Sequence, residues 1–257
     1  MRIEQNSTFL LDLVRGTGKG QYGLAPFQRQ YVWNRDDVEK LLRSIMRRWP
    51  IGSFTLWSPV RAEREFFSTR GRIGPVEHAP DVETLILDGQ NRLASLVYAT
   101  LVQTAPASPA HPYSQEELDV WFGDDILVAD FGERAIRFMP SAQAWSATKM
   151  PFGMIMDATV FNRIRQWDVF SRAQELGVAD EALNWFMDEI PAMVREARVT
   201  ATHLIGATLE EARECYMTIC RAGQPISDEE FDLAFNYRQT PASPAISGPP
   251  RFPGVQP

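Results

Sequence analysis

The sequence has few of the side chains that bind soft metals or form disulfides: two cysteines and three histidines in 257 residues. Cys215 and Cys220 are five positions apart, which on a helix separates their side chains by about 140°, too far for one disulfide or one shared metal. The histidines show no H-x-x-x-H spacing, and no C-x-x-C pair is present. We therefore expect no zinc site, and any metal chemistry must use carboxylates.

Long apolar runs are also missing. No stretch approaches the roughly 18 consecutive apolar residues of a membrane span, and Asp12 interrupts the run Phe9-Leu10-Leu11 before it could act as a signal-peptide core. We therefore expect a cytoplasmic protein. With 44% hydrophobic and 23% charged residues, the composition is near the globular average and excludes a fibrous or wholly disordered chain. The length predicts one or two domains.

Acidic residues are in excess, with a formal net charge of −7, but the excess lies in one part of the chain. The first 100 residues contain 14 Lys and Arg against 11 Asp and Glu, whereas the remainder contains 12 against 22. An anionic ligand is therefore more favourable on the first hundred residues. The alternative is that two modules simply have differently solvated surfaces.

The glycine-rich run at residues 16–23 follows a helix-like segment at residues 7–14. It does not match the G-x-x-x-x-G-K-[ST] phosphate loop, so we predict a flexible loop. A clearer helix follows Asn34, which is spaced as an N-cap with Asp37, and its apolar periodicity continues to Trp49 before Pro50 ends it. Three basic residues share the opposite face: Lys40, Arg43 and Arg47. This face is either a solvated surface or a contact surface for nucleic-acid phosphates.

A polar pentapeptide, Asp88-Gly89-Gln90-Asn91-Arg92, interrupts the hydrophobic passage from a predicted strand at residues 82–87 to a predicted helix. Anions bind well at helix N-termini that follow strands. Arg92 there can bind phosphate, Asp88 can hold Mg²⁺ or orient water, and Gly89 allows a sharp turn, while Gln90 and Asn91 offer amides. The alternative is structural: Asp88 caps the helix and Arg92 pairs with a neighbouring carboxylate.

The later part of the chain predicts a separate organisation. A proline-rich stretch at residues 105–112 predicts a boundary between domains at residues 1–104 and 113–238. The second domain is predicted to hold a hairpin of strands 126–131 and 135–139, then helices at 157–175 and 180–197, the latter kinked at Pro191. Two capping boxes predict further helix starts: Thr208 with Glu211, and Ser227 with Glu230. Residues 239–257 are predicted to be a proline-rich disordered tail or linker.

Several motifs, taken in order, resemble those of a known family. They are Pro26-Phe27-Gln28-Arg29-Gln30-Tyr31-Val32-Trp33, Leu41-Leu42-Arg43-Ser44-Ile45, Pro50-Ile51-Gly52 and Leu87-Asp88-Gly89-Gln90-Asn91-Arg92-Leu93. Their order and spacing are similar to those of the GmrSD-type N-terminal domain, a ParB/sulfiredoxin-like module of bacterial restriction and anti-phage systems. The resemblance is strong over the first hundred residues and weaker beyond them.

The resemblance implies a nucleotide-handling core in which an Asp-Gly-Gln-Gln-Arg motif is tied to nucleoside triphosphate hydrolysis. Four residues match this motif by position: Asp88, Gly89, Gln90 and Arg92. Asn91 stands where the second Gln is usual. Four more match the upstream motif: Gln28, Arg29, Tyr31 and Trp33. Relatives often carry a His-Asn-His nuclease domain, but the three scattered histidines here offer no such site, so we expect any cleavage to reside in another polypeptide.

We therefore predict an α/β (α+β) fold, with a ParB/sulfiredoxin-like N-terminal core and a mainly helical C-terminal extension. The predicted function is binding and hydrolysis of a nucleoside triphosphate with Mg²⁺ in a DNA-restriction or anti-phage system. The catalytic candidates are Asp88, which is also the metal ligand, Gln90 and Arg92. The nucleotide-binding candidates are Gly89, Asn91, Gln28 and Arg29, and the nucleic-acid-binding candidates are Lys40, Arg43, Arg47, Tyr31 and Trp33. The alternatives are a non-catalytic DNA or nucleotide sensor that controls a partner nuclease, and a scaffold that docks a partner through its tail.

Overall fold

A computed structural model describes residues 1–25, 27–28, 31–61, 63, 73, 82–101, 125–144, 146, 148–156, 175 and 177–222. Several sequence predictions lie outside these residues: the proline-rich stretch at 105–112, the helix at 157–174, the second capping box, the tail and the ligand role of Arg29. The chain forms two compact units. The first takes its described residues from Met1–Val32, Gly52–Ala94 and Arg198–Pro250, and the second from Trp33–Ile51 and Ser95–Ala197.

The described residues form a mixed α+β fold, as predicted. In chain order the elements are β1 (Arg2–Phe9), α1 (Leu10–Gly18), β2 (Tyr22–Leu24), α2 (Arg35–Met46), β3 (Phe54–Pro59), β4 (Thr84–Asp88), α3 (Gln90–Leu101), β5 (Asp125–Asp130), β6 (Ala135–Pro140), β7 (Lys149–Pro151), α4 (Phe152–Met156), α5 (Asp180–Asn184), α6 (Ile190–Glu196), β8 (Arg198–Ala207) and α7 (Leu209–Ala222). None of the helices in the described part of the chain has the length and apolar character needed to cross a membrane.

The first unit contains a mixed five-stranded sheet in the order β1-β8-β3-β4-β2. Strands β1 and β8 are antiparallel, β8 and β3 parallel, β3 and β4 antiparallel, and β4 and β2 parallel. One face of this sheet packs into a core that includes Phe27, Trp57, Leu85, Leu87 and Tyr216. Because Ile86 on the opposite face is also fully buried, β4 is covered on both sides, as its continuous apolar sequence predicted. Its carboxyl end therefore holds the following turn in a fixed position.

The second unit contains α2 and a three-stranded antiparallel sheet in the order β6-β5-β7. The predicted capping box of α2 is confirmed: the Asn34 side chain accepts a hydrogen bond from Asp37 N, and the Asp37 carboxylate accepts one from Asn34 N, both at 3.1 Å. The hairpin is confirmed too, with β5 and β6 joined by residues 131–134. Helix α2 ends at Met46 rather than before Pro50, so Trp49 lies outside the helix and is 56% exposed.

Four strands were not predicted, namely β1, β2, β7 and β8, and the two longest of them, β1 and β8, belong to the five-stranded sheet. Residues 2–9 form β1, so that the first helix begins at Leu10 and takes in Gly16 and Gly18, which had been assigned to a flexible loop. Helices were expected to dominate after the hairpin, yet the ten-residue strand β8 lies between β1 and β3. Its partners are distant in the sequence, so no local pattern marks the pairing.

The predicted interruption at Pro191 takes the form of a π-helical turn, Trp185–Glu189, between α5 and α6. Proline has no N–H, so residue 191 cannot donate to the carbonyl four residues earlier. A wider turn is one way in which a helix accommodates such a break.

Candidate functional site

The turn between β4 and α3 depends on a glycine for two independent reasons. Gly89 has a φ of +95°, in the left-handed region that side chains rarely adopt. A Cβ at this position would also lie 2.3 Å from Cδ1 of Phe54, whose ring is fully buried. The chain can therefore turn from strand into helix while the Phe54 ring packs directly against the backbone.

Arg92, in the first turn of α3, is held on three sides. Its Nη2 donates to Asp88 Oδ2 at 2.8 Å, and its guanidinium carbon lies 4.7 Å from the centre of the Phe54 ring. Gly52, with a φ of +86°, closes the third side, since a Cβ there would lie 2.4 Å from Nη1. The Arg92 side chain is only 14% exposed. The guanidinium therefore has a fixed orientation, and it pairs with a carboxylate as the structural alternative predicted.

Asp88 is the more accessible partner of this ion pair. Its side chain is 36% exposed, and Oδ2 is the oxygen that contacts Arg92. Asp88 lies at the carboxyl end of a buried strand and directly before the turn that opens a twelve-residue helix. Its carboxylate is therefore positioned by the sheet and oriented by Arg92, and it still has contact with solvent.

Gln28 reaches β4 from the segment that follows β2. Its Nε2 donates to the carbonyl oxygen of Ile86 at 2.7 Å and also to that of Leu87. The backbone pairing between β2 and β4 ends at Leu24, and these hydrogen bonds extend the contact between the two segments beyond that residue. They also fix the amide orientation, because the opposite assignment would place Oε1 against two carbonyl oxygens. Gln28 Oε1 is buried, and no described residue donates a hydrogen bond to it.

Asn91 joins the same segment to the start of α3. Its Oδ1 accepts a hydrogen bond from Val32 N at 3.4 Å, and the residue is 7% exposed. The shorter amide that distinguishes this chain from the usual motif is thus buried and engaged with the upstream motif. The upstream motif at residues 26–33 and the pentapeptide at residues 88–92 therefore lie together in the first unit. Gln28 donates to carbonyl oxygens of β4, and Val32 N donates to Asn91.

The aromatic candidates of the upstream motif differ in exposure. Tyr31 is 6% exposed, so its ring packs in the interior, whereas Trp33 is half-buried. Their predicted contacts with nucleic acid stay predictions. Gln90, the third catalytic candidate, is half-buried at the start of α3.

The basic face of α2 is solvent-exposed at all three predicted positions: Lys40, Arg43 and Arg47. Beside it the Arg47 guanidinium lies 4.8 Å from the centre of the Trp49 ring. The opposite side of α2 buries Val38, Leu41, Leu42 and Ile45, as the periodicity predicted. An exposed indole beside a row of cations is a surface that nucleic acids can use through phosphate contacts and stacking.

The described residues contain no group of three or more side chains that could hold a metal ion by themselves. Proteins usually bind Mg²⁺ through one or two carboxylates, with waters and substrate phosphates completing the octahedron. The partly exposed carboxylate of Asp88 fits that donor set. A single carboxylate does not suffice for a metal ion whose ligands must all come from the protein.

Comparison with known proteins identifies the family to which this chain belongs. Residues 10–228 match the family described as the GmrSD restriction endonuclease N-terminal domain. The chain belongs to this family. The match covers most of the chain, including β8 but not β1, and it extends the resemblance well beyond the first hundred residues.

One relative of this GmrSD-family chain is an uncharacterized protein of Methanocaldococcus jannaschii, MJ0686. The two are 34% identical over 120 residues, which cover 44% of this chain and 20% of the relative. The chain thus spans about a fifth of the length of the curated relative that it matches.

Sequence reasoning missed three residues that shape the site: Gly52, Phe54 and Val32. Gly52 and Val32 belong to motifs that carry the resemblance. Their roles depend on contacts between distant segments, because Gly52 packs against Arg92 and Val32 N donates to Asn91. Phe54 lies outside those motifs. The signal for these close approaches was the pair of glycines, Gly52 just before β3 and Gly89 in the β4–α3 turn.

Proposed function

We propose that this GmrSD-type domain binds a nucleoside triphosphate with Mg²⁺ at the β4–α3 turn and hydrolyses it, as a module of a bacterial DNA-restriction or anti-phage system. The observation that carries the proposal is the convergence of a partly exposed carboxylate, a fixed guanidinium and a helix N-terminus on one rigid turn. Phosphoryl transfer depends mostly on positioning and charge stabilisation, for which such a turn is suited. Family membership supports the restriction context.

Each residue of the turn has a distinct part in this proposal. Asp88 holds Mg²⁺ together with phosphate oxygens, and the ion supplies charge neutralisation on the phosphates when it is bound. Arg92 presents its guanidinium to the phosphates from a position fixed by Phe54 and Gly52. The α3 N-terminus adds a favourable field for an anion. Gln28 and Asn91 hold the upstream segment against the turn and so support it.

The test is phosphate release from each of the four ribonucleoside triphosphates by the full chain with Mg²⁺. We expect Asp88→Asn and Arg92→Ala to lower the rate by on the order of 10²-fold or more, since each removes charge stabilisation of the reacting phosphate. Glu210→Gln and Arg213→Ala are matched controls, because these residues form an ion pair on α7 in which Arg213 is 17% exposed, close to the value for Arg92. Equal rates in all five proteins would reject hydrolysis at this turn.

The second candidate function is a non-catalytic sensor that binds DNA through α2 and controls a partner nuclease. The exposed cations of α2, with the Arg47–Trp49 stack beside them, favour it. We expect binding to duplex DNA that weakens with salt, and we expect Arg43→Glu with Arg47→Glu to weaken binding at low salt and to reduce its salt dependence. Arg15→Glu with Lys19→Glu makes the same charge change at the same spacing on exposed residues of the first unit. Equal losses in the two double variants would show a nonspecific charge effect and would argue against the α2 surface.

A further inference from the structure

A row of polar side chains crosses the five-stranded sheet near the start of β4, whereas Asp88 lies at the end of that strand. Ser58 Oγ on β3 lies 2.9 Å from His203 Nε2 on β8 and 3.0 Å from Thr84 Oγ1 on β4. Glu4 on β1 is directly opposite His203 in the antiparallel β1–β8 register. Directly opposed residues project from the same face of a sheet, so the carboxylate and the imidazole are neighbours. All four side chains are half-buried, and the proposed nucleotide site uses none of them.

The order of these groups is that of a nucleophile, a base and an acid. If the Ser58 hydroxyl donates to Nε2, the remaining imidazole proton is on Nδ1, and the Thr84 hydroxyl can donate to Ser58 Oγ. Glu4, whose carboxylate also pairs with Arg2, places a negative charge beside the imidazole. Burial lowers the pKa of His203, and the nearby Glu4 charge opposes that shift. Neutral imidazole therefore predominates at pH 7 and can accept the serine proton.

The backbone beside Ser58 is irregular. The β3–β8 pairing slips between Ser58 and Pro59, since Ser58 pairs with Ile205 and Pro59 with Ala207. Gly206 is the extra residue of this bulge. A Cβ at Gly206 would meet no atom of the described residues within 4 Å. Bulges occur next to active sites because they redirect side chains and end regular pairing.

We propose that Ser58, His203 and Glu4 form a second reactive site, in which Ser58 is a nucleophile toward carboxylic esters. Ser58 Oγ attacks the ester carbonyl carbon while its proton moves to His203 Nε2. The ester C–O bond then breaks, and the alcohol leaves with the proton from His203. Water, deprotonated by His203, hydrolyses the acyl-serine and restores both side chains. Glu4 is a positioning residue that holds the imidazole in the tautomer this sequence needs.

The first experiment uses a fluorophosphonate probe, which serine nucleophiles attack with formation of an O–P bond and loss of fluoride. We expect one adduct on the full chain by intact mass, located on Ser58 by peptide mapping. Ser58→Ala abolishes it, and His203→Gln slows labelling by on the order of 10²-fold. Ser53→Ala is the matched control, since Ser53 is an exposed serine just before β3, and its labelling rate equals that of the wild type. A short ester such as p-nitrophenyl acetate is hydrolysed with the same ranking.

Two results overturn the proposal. One is the absence of an adduct on Ser58 while all variants keep the wild-type melting temperature. The other is labelling of Ser58 that His203→Gln does not slow, which would mean that the serine reacts without its base. Asp88→Asn leaves labelling unchanged, so loss of triphosphate hydrolysis and loss of ester reactivity can be told apart. Glu4→Gln slows labelling less than His203→Gln, and equal labelling rates in Glu4→Gln and wild type would remove Glu4 from the site.

Discussion

At the residue scale, the candidate site depends on space as much as on charge. Phe54 and Arg92 occupy the volumes into which a Cβ of Gly89 or Gly52 would project. These close contacts hold the guanidinium where it meets Asp88 at 2.8 Å. A sequence can indicate that a polar pentapeptide is unusual, but which atoms fill the space beside it depends on segments that fold next to it.

The cost of this crowding at Gly89 can be separated from the cost of its backbone conformation. Gly89→Ala adds a Cβ at a positive φ and places it against Phe54, whereas Gly206→Ala adds one at a φ of +65° with open space around it. We expect Gly206→Ala to lower the free energy of unfolding by about 1–2 kcal/mol, the usual penalty of left-handed backbone. Gly89→Ala should lower it by more, because the Phe54 ring must also move. Urea denaturation measures both, and equal losses would show that the Phe54 contact is not tight.

Asn91 is the position at which this chain departs from the usual motif, and its environment predicts the effect of restoring it. The Asn91 amide is buried and accepts from Val32 N. Asn91→Gln inserts a methylene into that packed position, and we expect a loss of about 1–3 kcal/mol in the free energy of unfolding. Urea denaturation is the measurement, and Gln90→Asn at the preceding, half-buried position is the control, with a smaller loss. A variant that is as stable as the wild type would show that the site accommodates either amide.

At the element scale, the features that the sequence predicted have short-range causes. The caps of α2 and α7, the β5–β6 hairpin and the β4-turn-α3 passage are each specified by residues within a few positions of one another. Strands β1 and β8 are not: Gln5 and Thr202, which bond across them, are 197 residues apart. The contacts that fix Arg92 were not predicted for the same reason, because Gly52 and Phe54 reach the guanidinium from another segment.

Helix α7 offers a direct test of a local cap. Thr208 N donates to Glu211 Oε2 at 2.8 Å, Glu211 N donates to Thr208 Oγ1 at 3.3 Å, and Leu209 N donates to Glu63 Oε2 at 2.8 Å. We expect Thr208→Ala to cost about 1 kcal/mol of stability, measured by urea denaturation. Thr218→Ala is the control, since the Thr218 hydroxyl bonds a carbonyl within the same helix and caps nothing. A loss no greater than that of the control would mean that Glu63 and Glu211 suffice to cap the helix.

The same cap should respond to acid. The backbone hydrogen bond from Thr208 is the main cause that lowers the pKa of Glu211 below its ordinary value of 4.5. A carboxyl whose folded pKa is depressed stabilises the fold above its unfolded pKa and loses that contribution as the pH falls through the folded value. We expect stability to fall more steeply with acidification below about pH 4.5 in the wild type than in Glu211→Gln. Parallel curves of unfolding free energy against pH would contradict this.

At the scale of the whole molecule, the five-stranded sheet pairs β1, from the beginning of the chain, with β8, from its later part. The pKa of His203 on β8 makes the stability of the folded chain depend on pH. Burial lowers its pKa below 6.5, so the unfolded chain binds a proton there more readily than the folded one. Its contribution to stability is therefore complete above about pH 6.5 and is lost as the pH falls toward the folded pKa. Urea denaturation between pH 7.5 and pH 5 should show a slope that His203→Gln reduces. Glu4→Gln removes the charge that raises the pKa of His203, so it should steepen the slope, and a shallower slope in that variant would mean that the Glu4 carboxylate does not act on His203 across the β1–β8 pair.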